Sequence, residues 1–211
     1  LLHRYCGAIY RYLLGAVRDA DAAEELSQEF ALRFVRGDFQ RVNPDRGRFR
    51  DFLKTTLYHL IVDHHRRRQQ RPAHLPSDLG QVADLENSLD SSDREFVNHW
   101  REELLDRAWE VLAEVEAASG RPLHTVLTWR VANSGVPTAR LAEQLSRDQG
   151  KEYRDAGVRQ LIHRAREKFA QLLLEEVARS LVDPSPDALE AEVIELGLLP
   201  YCRLALDRRN P

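Results

Sequence analysis

Apolar residues recur at three- and four-residue intervals along most of the chain, and the strict alternation that would mark a strand is nearly absent. Over residues 1–17, Leu2, Tyr5, Ile9, Tyr12, Leu13 and Ala16 fall on one stripe, the spacing of an amphipathic helix. Asp21 with Glu24 three residues on reads as the start of a second helix. It runs to about Arg36, turns Ala23, Leu26, Phe30 and Phe34 inward, and stops at Gly37. Residues 37–47 are bracketed by glycines and hold Asn43-Pro44, which disfavours helix and predicts a loop. A third helix is predicted from about Arg48 to Gln69, with Phe49, Phe52, Leu53, Leu57, Leu60 and Ile61 at helical intervals.

Periodicity weakens over residues 70–98, where Pro72 and Pro76 are followed by Ser, Asp, Asn and Gly. It resumes with Trp100, Leu104, Leu105, Ala108, Trp109, Leu112 and Val115, a helix ended by Gly120-Arg121-Pro122. Leu123, Val126, Leu127 and Val131 make the next. Pro137 suits the first turn of a helix carrying Leu141, Ala142 and Leu145, which stops near Gly150. A long helix over about 154–181 aligns Val158, Leu161, Ile162, Ala165, Phe169, Leu172 and Leu173. After Pro184 and Pro186, a short acidic helix over 187–198 precedes a tail. The expected fold is all-α: two helical domains joined by a flexible linker, the second a helix-turn-helix domain. The predicted bounds are 1–70, an acidic linker over 71–98, 99–182, and a C-terminal extension over 183–211.

The whole-chain charge is only −3 over 211 residues, so net charge does not mark a polyanion partner. Its distribution does, because basic residues crowd 46–71 and 147–168 while 77–95 and 183–195 are mainly acidic. Cys6 and Cys202 make no disulfide framework and read as reduced thiols of a cytoplasmic protein. No apolar run approaches the roughly 18 residues a membrane span needs, and no signal peptide opens the chain. The chain begins at Leu1 and holds no Met, so its natural start is expected upstream.

Two stretches carry chemistry. Residues 46–71, RGRFRDFLKTTLYHLIVDHHRRRQQR, interleave eight Arg and Lys with aromatics. Cations neutralise phosphates and release counterions, and exposed aromatics stack on unpaired bases. A core helix with a solvated basic end is the plainer reading. Residues 137–169 give a short helix, a turn with Gly150, and a longer helix bearing Arg159, Gln160, His163, Arg164 and Lys168. That order suits a helix-turn-helix whose second helix enters the major groove. A plain helical bundle would show similar spacing, and the turn, taken as SRDQGKEYRDAG, is long for the motif.

DADAAEELSQEFALRFVRG, GRFRDFLKTTLYHLIVDHHRRR and GVRQLIHRAREKF, in that order and spacing, resemble a bacterial sigma factor of the sigma-70 family. The resemblance is to the two-domain extracytoplasmic-function class and covers about 1–70 and 100–181. It implies promoter DNA and core RNA polymerase, through its β′ clamp and β flap, as partners, and leaves open an anti-sigma factor or other regulator. Leu26, Gln28, Glu29, Phe30 and Arg33 match the helix that docks on the polymerase clamp. Loop 37–47 corresponds to the one that captures a flipped base of the −10 element. Phe39, Arg41, Asn43, Arg46, Arg48, Phe49, Arg50, Lys54, His59, Arg66 and Arg67 are thereby the candidate −10 residues. The family usually has Asn where His59 stands. Lys151, Arg154, Arg159, Gln160, His163, Arg164 and Lys168 are the candidate −35 residues. Asp78, Asp84, Glu86, Asp90 and Asp93 would mimic RNA in the polymerase exit path, or simply keep a linker solvated.

His59, Asp63, His64 and His65 raise a metal site, but the adjacent histidines point to different faces and no Cys or Glu completes a cluster. Pairing of Asp63 with Arg67, four residues on, explains it better. Without a phosphate loop, nucleophile elbow or carboxylate pair, neither catalysis nor a cofactor is expected. A stand-alone helix-turn-helix regulator acting without polymerase is the alternative; it would not need the 21–36 helix. The extension, with Leu189, Val193, Leu196, Leu198, Leu199 and Tyr201 on an apolar face, is expected to fold back on the second domain or contact a regulator.

Overall fold

The computed structural model describes residues 5–36, 49–69, 81–181 and 183–209, with side chains for all of these but 69, 81–93, 204 and 207–209. Among the described residues there are nine α-helices and no strand. They are α1 (Cys6–Val17), α2 (Ala20–Arg36), α3 (Phe49–Gln69), α4 (Gln81–Ser119), α5 (Leu123–Ala132), α6 (Thr138–Gln149), α7 (Asp155–Arg179), α8 (Pro186–Glu195) and α9 (Leu199–Arg209). The chain divides into one compact unit of residues 1–103 with 179–188 and another of 104–178 with 189–211.

In the first unit α1, α2 and α3 pack on one another. The predicted stripe of α1 is buried as Tyr5, Ile9, Tyr12, Leu13 and Ala16, joined by Ala22, Ala23, Leu26 and Phe30 of α2 and Leu53, Leu57, Leu60 and Ile61 of α3. The start of α2 lies earlier than Asp21. Asp19 is its cap, because its Oδ1 accepts from the N–H groups of Asp21 at 3.1 Å and Ala22 at 3.2 Å. Arg18 ends α1 in the left-handed conformation, φ 53°, and its N–H bonds the Leu14 carbonyl.

The segment expected as an acidic linker differs from that expectation. Residues 81–98 are helical and continuous with the helix predicted from Trp100, while 71–80 lie outside the described residues. Asp, Ser and Asn lower helix propensity by only fractions of a kcal/mol each, and apolar contacts override that. Phe96 and Trp100, four apart, are fully buried in the first unit. The Trp100 ring stacks on Tyr5 with centroids 3.9 Å apart, and Phe96 meets Tyr12 edge-on at 5.2 Å. Arg11 of α1 bonds His99 at 3.0 Å and Glu102 at 3.4 Å along the same helix.

In the second unit, Trp109 of α4 packs on Phe169 of α7 at 4.7 Å and edge-on to His124 of α5. Glu116, near the end of α4, accepts from the Thr125 N–H at 2.8 Å and its hydroxyl at 2.5 Å, which ties α4 to the first turn of α5. Gly120 and Gly150 take positive φ, 65° and 62°, just past α4 and α6, where glycine alone is unstrained. The chain from 199 on, expected as a tail, is helix α9. Pro200 falls in its first turn, where its missing N–H costs nothing. Leu189, Val193, Leu196, Leu198, Cys202 and Ala205 are buried, whereas Tyr201, expected on the apolar face, is 54% exposed.

Candidate functional site

The two candidate surfaces lie in separate units. On α2, the predicted docking residues split between two faces. Leu26 and Phe30 are buried in the core, so they hold the helix down rather than meet a partner. Gln28 is exposed, and it shares its face with two residues the sequence reading passed over, Leu32 and Val35, 57% and 82% exposed. Positions 28, 32 and 35 are spaced four and three apart, the same interval as a core stripe but on the outer side. Their signal in the sequence is that they are apolar yet out of phase with Leu26 and Phe30.

Glu29 lies between those faces, and its carboxylate is engaged within the unit. Arg33, one turn on, donates to its Oε1, and Arg67 of α3 approaches the same oxygen at 3.4 Å. Burial alone would raise the Glu29 carboxyl; the hydrogen bonds and charges of Arg67 and Arg33 outweigh it and hold it below the ordinary carboxylate value. Arg67 therefore pairs across helices, instead of with Asp63 as its spacing suggested.

On α3 the aromatic start and the basic end part company. Phe49, expected to wall a base pocket, sits among Tyr5, Phe34, Phe52 and Trp100 with centroids 6.1–6.4 Å away. Arg50, expected at phosphates, is 3% exposed. The reason is register: 50, 53, 57 and 60 follow one inward stripe with Leu53, Leu57 and Leu60, which carries Arg50 into the core. Lys54 is half-buried, and His59, Arg66 and Arg67 are exposed. Tyr58, 42% exposed and edge-on to the His59 ring, is the large aromatic that α3 does offer to solvent. Phe39, Arg41, Asn43, Arg46 and Arg48 lie outside the described residues. Among the described residues no group of three or more His, Cys, Asp or Glu is arranged to hold a metal ion. His65 is shifted below the ordinary histidine value by burial first, then by His64 and Arg68.

In the second unit, α6 extends through Gln149, so the turn is only Gly150–Arg154 rather than the twelve residues read from the sequence. Ser146 explains the compactness: its hydroxyl bonds the Ala142 carbonyl within α6 and accepts the Tyr153 N–H at 2.8 Å across the turn. Helix α7 thus begins at Asp155. Lys151 lies over the Tyr153 ring at 5.8 Å, and Arg154 pairs with Glu152. Arg159, Gln160, His163 and Arg164 together line a shallow cleft on α7, while Lys168 is half-buried. A neighbouring cleft is lined by Arg130, Thr138, Arg159, His163 and Arg166. Arg130 and Arg166 were not among the expected residues; Arg130 sits on α5, and its Nη1 donates to the Val136 carbonyl at 2.8 Å. Two residues on this face have local acidic partners: Asp155 for Arg159 at 2.6 Å, and Glu167 for His163 at 3.1 Å.

Residues 1–71 match the family model of sigma-70 region 2. The match covers about a third of the chain and makes the part that holds α1, α2 and α3 similar to a sigma-70 region 2. A sigma-70 region 2 works with core RNA polymerase in promoter recognition, and sigma factors act in transcription initiation without being enzymes. No curated protein and no solved structure matches the chain. Among the described residues, no helix is long and apolar enough to cross a membrane.

Proposed function

We propose that this protein is a sigma factor of the sigma-70 family, a two-module factor of the extracytoplasmic-function kind that reads the −10 element with its first unit and the −35 element with its second. The observation that carries the reading is the match of residues 1–71 to region 2, the part of the chain that holds α1, α2 and α3. Helix α2 docks on the polymerase clamp through Leu32 and Val35, an apolar pair beside the exposed amide of Gln28 that suits a partner helix. Helix α3 supplies Tyr58 and His59 to unpaired bases and Arg66 and Arg67 to the duplex phosphates beside them. Taking a base from the stack costs a few kcal/mol, and an exposed aromatic offsets part of that. Helix α7 lays Arg159, Gln160, His163 and Arg164 in the major groove upstream, with Lys151 and Arg154 of the turn at the phosphates.

The test is reconstitution with core RNA polymerase. The chain is expected to co-migrate with core on size exclusion, and the double substitution Leu32→Asp/Val35→Asp to abolish co-migration while duplex binding persists. A chain that never joins core yet binds duplex DNA with sequence preference would instead be a stand-alone helix-turn-helix regulator.

A further inference from the structure

We infer that Asp155 is a positioning residue for promoter recognition: held by Thr138, its carboxylate fixes the Arg159 guanidinium in the orientation that reads a base. The inference rests on α7 being the duplex-reading helix. Asp155 is the first residue of α7, and Thr138 the first of α6. The Thr138 hydroxyl donates to Asp155 Oδ1, and Arg159 Nη2 donates to Asp155 Oδ2 at 2.6 Å. One carboxylate thus joins the starts of both helices of the motif and reaches one turn along the second.

Arg159 needs such a tether. Its side chain is 65% exposed, and a free arginine of that kind samples many rotamers, whose loss on binding opposes recognition. Base recognition by arginine relies on two parallel N–H donors in a fixed plane. A carboxylate bonded only at i, i+4 on a helix surface would restrain it weakly, since solvent screens such pairs. Here the carboxylate is itself anchored from another helix, so the ion pair inherits a defined geometry. The neighbouring residues support the same direction of use: Arg159 lines both the cleft with Gln160, His163 and Arg164 and the one with Arg130 and Arg166. Asp155 also places a negative charge beside a surface that would meet phosphates. That charge lowers affinity for any DNA, so its benefit must lie in selectivity.

A simpler role for Asp155 is favourable interaction with the N-terminal end of the α7 dipole. The two roles separate experimentally. Asp155→Ser keeps a short polar oxygen in the first turn but cannot span to Arg159; Asp155→Asn keeps the length and an acceptor. The full chain bound to core polymerase is presented with a randomised duplex pool, and bound sequences are counted. Positioning predicts that Arg159→Ala and Asp155→Ser both flatten the preference at the same base pair by about tenfold. It also predicts that Asp155→Ser leaves affinity for non-selected duplex unchanged or raised, that Asp155→Asn retains most of the preference, and that the double substitution loses no more than either single one. Asp155→Ser weakening all duplexes alike with preference intact, or adding to Arg159→Ala, overturns positioning while the reading of α7 stands. Arg159→Ala with the wild-type preference overturns that reading, and the inference with it.

Discussion

The two basic helices of this protein use their charges in opposite ways. On α3, arginine is engaged by the fold: Arg50 lies in the core, and Arg67, though exposed, reaches from α3 to the Glu29 carboxylate of α2 that Arg33 also holds. On α7, Arg159 and His163 stay on the surface and take partners from their own helix, four residues away. Composition is similar in the two stretches; what differs is whether the ion pair links elements or lies along one. A pair between helices contributes to the unit's stability and ties down the cation. A pair along one helix leaves the cation at the surface, where a phosphate or a base can meet it at little cost to folding. The first helix therefore holds its unit together as well as offering the proposed −10 surface, and the second leaves Arg159 and His163 at the surface for the proposed role of reader.

The sharpest way to break this contrast is through the aromatic string that holds α3 and α4 to α1. Trp100→Ala removes a fully buried ring stacked on Tyr5, and should destabilise the first unit by about 3–5 kcal/mol, measured by chemical denaturation. Trp100→Phe should cost far less, because the Trp100 Nε1 is buried without a hydrogen-bond partner. Next in size, Val35→Glu on the exposed side of α2 should weaken core polymerase binding by roughly tenfold or more, with stability unchanged within about 0.5 kcal/mol. A comparable loss of stability would mean that Val35 supports the fold instead.

Glu29→Gln should cost about 1 kcal/mol, and its signature is in acid. The Glu29 carboxyl is held below its unfolded value of 4.5, so its contribution is full above that value and is lost as pH falls through the folded one. The variant should show a flatter decline over that window. His65 gives the smallest effect. Its folded value lies below the unfolded 6.5, so the unfolded chain takes up the proton first and stability falls as pH drops below 6.5. His65→Gln should remove that part of the slope; an unchanged slope would show that His65 carries the same proton affinity folded and unfolded.

Helical periodicity made most of the fold legible. Tyr5, Ile9, Tyr12, Leu13 and Ala16 were readable as one buried stripe because local spacing decides which side of a helix is inward. Leu26 and Phe30 were readable as core by the same rule, and their match to a docking helix obscured it. What spacing could not tell is which neighbour covers a stripe. Phe96 and Trp100 were assigned to the end of a linker and to the next domain, since only the tertiary fold brings them to Tyr12 and Tyr5. The length of the turn between α6 and α7 was misread for a related reason. Ser, Arg, Asp and Gln at 146–149 look like loop residues, and the hydrogen bonds of Ser146 that keep them helical involve the Tyr153 backbone beyond Gly150. At the candidate sites, residue type was visible but direction was not: Arg50 and Phe49 had suitable chemistry and an inward or shared position.

If the proposed function holds, both units serve one polymerase-bound promoter factor. That is tested most directly by transcribing a fragmented genomic DNA library with core RNA polymerase plus this chain and sequencing the 5′ ends. The expected start sites depend on the chain and share two upstream motifs at a fixed spacing, the farther one lost with Arg159→Ala. Start sites indistinguishable from those of core polymerase alone would contradict the proposed function.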